Sequence, residues 1–271
     1  MHFKRVEPAQ AMEWIRGAMR LLMANPAPFL LMGLAMTVIA LVPFLGAMAL
    51  LIIGPVLYAG IALAARTQDA GGQADFNQLL EGFRQPGKVG PLIALCLPNL
   101  GLMFAMIVVM VMVALSFGGA ALLAAGGKPL DPTEVNLMTL FGVGGVVALL
   151  VLLVLLVPLA LATAALLFFA VPRVMFDGIE PFTALRESAQ ATAANLGAFL
   201  LTVIVLFFAR FTAAVVLGSL VPVLGVLVVG SVFTPLIAAV LYFAWRDVFG
   251  AREAETSNPA MPPSPPPVIE V

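Results

Sequence analysis

Six stretches of this chain are long and apolar enough to cross a lipid bilayer, which leaves few folds open to it. A membrane helix needs about 20 predominantly apolar residues. Such stretches run over residues 28–44, 47–65, 91–117, 139–171, 197–217 and 223–245. The fourth covers 33 residues. At ~1.5 Å per residue it would reach ~50 Å, beyond the ~30 Å hydrocarbon core. It is expected to tilt, to kink at Pro158 or to project from the bilayer. Composition agrees: 62% of the 271 residues are hydrophobic and 10% are charged, with a mean hydropathy of +1.12. A soluble domain carries roughly 25% charged residues, and one of this size could not hide so much apolar surface from water. A soluble enzyme, a secreted disulfide scaffold and a disordered chain are excluded. The expected fold class is all-α: a polytopic membrane helix bundle of six transmembrane helices in three hairpin units, each preceded by a short cytoplasmic amphipathic helix.

The basic residues choose an orientation. Six spans place both termini on one side. On that side fall Lys4, Arg5, Arg16, Arg20, Arg66, Arg84, Lys88, Arg173, Arg186, Arg246 and Arg252. Only Lys128 falls on the other side, while Arg210 lies within a span. The positive-inside rule then puts both termini in the cytoplasm. Ala47-Met48-Ala49 follows an apolar stretch as a cleavage site would, but acids and bases precede that stretch and no polar segment precedes the site, so an uncleaved first span is expected. Residues 1–252 are expected to form the membrane domain. The segment from Glu253, with Pro259, Pro262, Pro263 and Pro265–Pro267, is expected to be a disordered cytoplasmic tail. Residues 118–138, with Gly126-Gly127-Lys128-Pro129, are expected to form an external loop.

Three polar segments, each leading into a span, carry helical periodicity. In 12–23, Met12, Ile15, Met19 and Leu22 share a face. In 75–84 the stripe is Phe76, Leu79, Leu80 and Phe83, with Asp75 and Gln78 as a capping pair. In 180–195, Pro181 suits the first helical position. There Phe182, Leu185, Ala189 and Leu196 face one way, and Thr183, Arg186, Glu187 and Gln190 another. Such helices fit the membrane interface or the underside of the bundle equally well. The first and third units also agree in sequence. Residues 41–46 read LVPFLG and 220–225 read LVPVLG, and Pro55 to Arg66 has the spacing of Pro235 to Arg246. Shared spacing favours parallel internal repeats over coincidental turn composition.

Few groups in the spans can carry chemistry. Arg210, in Phe207-Phe208-Ala209-Arg210-Phe211, costs at least ~2.5–3.5 kcal/mol near the bilayer centre. It is expected either to face the interior and pair with a carbonyl, a polar side chain or a lipid phosphate, or to snorkel to the outer headgroups. Asn99, beside Pro98, either lines a cavity or locks two helices together. Arg210 and Asn99 are the candidate ligand-binding residues. Arg66, Arg173 and Arg246 end the three inward spans and are expected to be interfacial anchors. No catalytic residue, cofactor or metal site is expected. No His, Asp or Glu lies inside a predicted span to act as base, and one histidine (His2) with one cysteine (Cys96) cannot build a zinc cluster. A net charge of −1 supplies no field for nucleic acid.

Trp14 to Phe29, residues 41–46, Phe76 to Lys88, and Val171-Pro172-Arg173 through Glu187-Ser188 together resemble a family of uncharacterised six-span proteobacterial inner-membrane proteins. The last segment is similar to one in the membrane domain of some glycerophosphodiester phosphodiesterases. The resemblance covers about residues 3–250. It implies a bacterial inner membrane and a helical bundle, and carries over no catalytic residue. The expected function is non-enzymatic binding or transport of an anionic lipid or amphipathic small molecule among the membrane lipids. The rival expectation is a scaffold that recruits protein partners through its cytoplasmic helices and Pro-rich tail.

Overall fold

The computed structural model describes residues 3–124 and 143–250. Lys128, most of the expected external loop and the Pro-rich tail lie outside the described residues. Every regular element among the described residues is helical. Among the described residues, five segments are long and apolar enough to cross a membrane, or six if the bent first pair counts as one. The chain is thus an α-helical, multi-pass membrane protein.

The first pair is α1 (Gln10–Ala24) and α2 (Pro26–Leu41), bent by 105° at Asn25. Proline has no N–H to continue α1 and pushes the preceding residue out of helical geometry. Asn25 accordingly sits at φ −147° and ψ 76°. The helix α2 ends at Leu41, three residues before the expected limit. Pro43 and Phe44 turn the chain, Phe44 at φ 59°. The next helix, α3 (Leu45–Asp69), continues four residues beyond the expected Ala65. A capped 3-10 turn (Phe76–Leu80) and α4 (Glu81–Arg84) follow. The anticipated capping pair is present: Asn77 N donates to Asp75 Oδ1 at 2.7 Å and Asp75 N to Gln78 Oε1 at 2.9 Å. The expected stripe is not buried as a whole. Leu79 is buried while Phe76, Leu80 and Phe83 are exposed, because a 3-10 turn has three residues per turn and an i, i+4 face does not form.

Then come α5 (Val89–Ala94), α6 (Leu97–Ala124), α7 (Val143–Phe168), α8 (Ala170–Asp177), α9 (Pro181–Ala194), α10 (Leu196–Leu220) and α11 (Pro222–Phe249). Residues 118–124, expected in the loop, belong to α6. The fourth span is placed at Leu152–Asp177 rather than 139–171. Its break falls at Phe169, while α7 runs on through Pro158.

Contacts divide the chain into two compact units. The first holds 3–38, 58–81 and 190–250. Here α1 packs on α10 and α11, and α10 packs on α11. The buried face of α1 is Ala11, Trp14, Ile15, Ala18 and Leu21, rotated by about one residue (~100°) from the expected stripe; Met19 is exposed. Indole and small side chains fit against α11 where methionines would not: a Cβ on Gly17 would meet the Phe243 ring at 3.2 Å. A Cβ on Gly33 would meet Ser231 O at 2.3 Å, and one on Gly230 would meet Thr37 Oγ1 at 2.0 Å. Small residues thus let α2 and α11 approach backbone to backbone, as membrane helices do.

The second unit holds 39–57, 82–124 and 143–189. Here α6 packs on α7, and α5 on α8. Its α9 residues correct the expected face. Ala184, Leu185, Glu187 and Ser188 are buried, whereas Phe182 is exposed. Glu187 and Ser188 point inward because α7 and α8 present partners for them. Phe169 N donates to Ser188 Oγ at 2.9 Å, and Ser188 Oγ donates to Ala165 O at 2.7 Å. The hydroxyl is inserted into the helical ladder between Phe169 N–H and Ala165 C=O, a recognised cause of helix breaks. This explains why the helix breaks at Phe169 and not at Pro158.

Candidate functional site

Arg210 lies on the exposed face of α10, 15 residues from Asn195, or ~22 Å along the helix. Phe207, Phe208 and Phe211 are exposed around it, with Phe207 and Phe211 stacked at 6.0 Å. Among the described residues Arg210 makes no hydrogen bond or ion pair. α10 is the least buried of the candidate spans among the described residues, with 11% of its apolar window buried. Asn99 sits half-buried in the first turn of α6, in the second unit, whereas Arg210 belongs to the first.

Each expected anchor arginine has a specific partner. Arg66 lies over the Trp245 ring, 5.6 Å from its centroid, a cation–π contact. Arg173 is closed off by Glu187 and Asp177, with its side chain 12% exposed. Gly178, at φ 67°, stops α8 right after Asp177 in a conformation glycine adopts without strain. Arg246 donates to Asp69 Oδ2 at 2.6 Å and lies 4.5 Å from the Phe243 centroid.

Around Arg246 the structure assembles a polar cluster that the sequence reading missed. Tyr242 donates to the same Asp69 Oδ2 at 2.6 Å. Asp247 Oδ2 accepts from Gln10 Nε2 at 2.7 Å and from Trp14 Nε1 at 2.9 Å. The sequence reading ended the spans at Ala65 and Trp245, so Asp69 and Asp247 lay in presumed loops. The helices continue through both residues, and i, i+4 geometry puts Tyr242 and Arg246 on one face of α11. The capture of Asp247 by Trp14 is readable only once α1 is docked. The N-terminal segment is tied to the same end of this unit: Lys4 N donates to Val248 O at 2.9 Å, and Val6 N to Asn195 Oδ1 at 2.7 Å.

Two clefts flank Arg246. One of about 420 Å³ is lined by Arg20, Gln68, Asp69 and Phe243. The other, about 580 Å³, is lined by Lys4, Arg5, Glu7 and Asp247. Among the described residues no group of three or more His, Cys, Asp or Glu is placed to hold a metal ion. This arrangement pairs opposite charges and fixes the end of α11 against α1 and α3. No family model, no curated protein and no solved structure matches the chain.

Proposed function

We propose that this chain is a multi-pass protein of a bacterial inner membrane, with both termini cytoplasmic, that binds an anionic lipid or amphipathic small molecule without transforming it. The observation that carries this reading is Arg210, exposed among Phe207, Phe208 and Phe211 and without an ion-pair partner among the described residues. A cation in an apolar belt is stabilised by an anion from outside, and a guanidinium takes phosphate bidentately. Asn99 is the second candidate contact. The eleven-to-one distribution of basic residues supports the orientation. The resemblance to the six-span inner-membrane family, and more distantly to the phosphodiesterase membrane domain, supports the membrane assignment.

Native mass spectrometry of gently solubilised protein tests this, with wild type beside Arg210→Ala. A stoichiometric anionic adduct on wild type, lost from the variant, is the expected result. Equal adducts on both would remove Arg210 as a site. That second outcome would favour the scaffold reading, which the outward position of Arg210 also suits, with partners recruited by the cytoplasmic helices and the tail.

A further inference from the structure

The cleft between α1, the end of α3 and the end of α11 has a lining suited to a ligand carrying a phosphate. Its basic wall is Arg20 and Arg246. Arg20 is exposed and makes no hydrogen bond or ion pair among the described residues. Its acidic wall is Asp69, whose Oδ2 already accepts from both Tyr242 and Arg246. Arg246 already faces Asp69 and, at 3.7 Å, Asp247, which leaves Arg20 as the cation of the lining without an ion pair among the described residues. A second observation is independent of charge. Gln68, also in the wall, donates its amide nitrogen to Leu21 O at 2.5 Å. Its Oε1 is buried with no donor, alone in this among the described residues. An unmet buried acceptor costs about 1–3 kcal/mol, and a hydroxyl or ammonium beside a bound phosphate would offset it.

The setting points to a lipid as the source of that phosphate. The helix α1 is bent by 105° from the apolar α2, and its exposed residues mix Glu13, Arg16 and Arg20 with Met19 and Met23. A helix with charged and apolar groups side by side, leading into a span, sits at the boundary of headgroups and acyl chains. We infer that this cleft binds the headgroup of an anionic glycerophospholipid, with the phosphate between Arg20 and Arg246 and the headgroup's hydroxyl turned to Gln68. This site stands on residues separate from Arg210.

The test uses the full chain in detergent, titrated with phosphatidylglycerol and followed by native mass spectrometry, with inorganic phosphate as a competing arm. Arg20→Glu is expected to weaken one phosphatidylglycerol binding event about tenfold or more. Arg20→Lys is expected to retain most of it, and Arg210→Ala all of it. Arg20 is exposed and makes no hydrogen bond or ion pair among the described residues, so its variants are expected to unfold at the wild-type temperature. Unchanged phosphatidylglycerol affinity in Arg20→Glu overturns the site. Displacement of the lipid by equimolar inorganic phosphate overturns the lipid assignment.

Discussion

Ser188 shows how much one hydroxyl can decide. It satisfies Phe169 N–H and Ala165 C=O, both freed by the break between α7 and α8. Ser188→Ala removes both hydrogen bonds at the break, and a loss of about 1–3 kcal/mol is expected in thermal unfolding of the solubilised protein. Glu187 lies beside it and holds Arg173. Glu187→Ala removes the ion pair between α9 and Arg173, and a loss of similar size is expected. Ser188→Cys, keeping a weak donor, should recover part of the loss; if Ser188→Ala unfolds like wild type, the inserted hydroxyl is not what stabilises the break. These contacts give residues of the segment from Arg173 to Ser188 a structural role. The residue types were legible, but their direction was not. Apolar periodicity assigns Glu187 to the outside, and only the partners on α7 and α8 turn it inward.

At the scale of elements, the crossing of α2 and α11 depends on side chains that are nearly absent. With Gly230 Cα packed against Thr37 and Gly33 against Ser231, any added carbon must push the helices apart. Gly230→Val is expected to cost about 1–3 kcal/mol by overpacking. Gly54→Ala serves as a control, since a Cβ there meets nothing within 4 Å. Equal unfolding temperatures for the two variants would contradict the close crossing. Pro55 and Pro235, at matching places in the two similar segments 41–66 and 220–246, have comparable settings. Pro55 and Pro235 lie inside α3 and α11, and Arg66 and Arg246 in their last turns. The turns themselves differ: Pro222 opens α11 directly, whereas Pro43 precedes a left-handed Phe44.

At the scale of the whole molecule, the prediction concerns topology. A cysteine placed by Lys128→Cys in a Cys96→Ala background is expected to react with an impermeant maleimide from the outside of intact cells. One placed by Arg84→Cys should react only after the membrane is opened. Labelling of both from the outside, or the reverse pattern, would overturn the orientation argued from the basic residues. Cys96 itself is buried, so it contributes little background even where it is retained.

The sequence by itself determined that this chain crosses a membrane as helices. Backbone groups in hydrocarbon must be satisfied within each segment, and long apolar runs leave no other solution. It also determined the Asp75–Gln78 cap and the turn at Pro43. Tertiary structure alone decided where helices break and which polar groups become partners. In apolar runs of nearly uniform hydropathy, periodicity carries almost no directional signal. The faces are set instead by close packing at Gly33 and Gly230 and by single polar contacts such as Ser188 with Phe169. The cluster of Trp14, Asp69, Tyr242, Arg246 and Asp247 draws on residues up to 233 positions apart. Its members are unremarkable in sequence, and they become a site only because α1 docks against the end of α11.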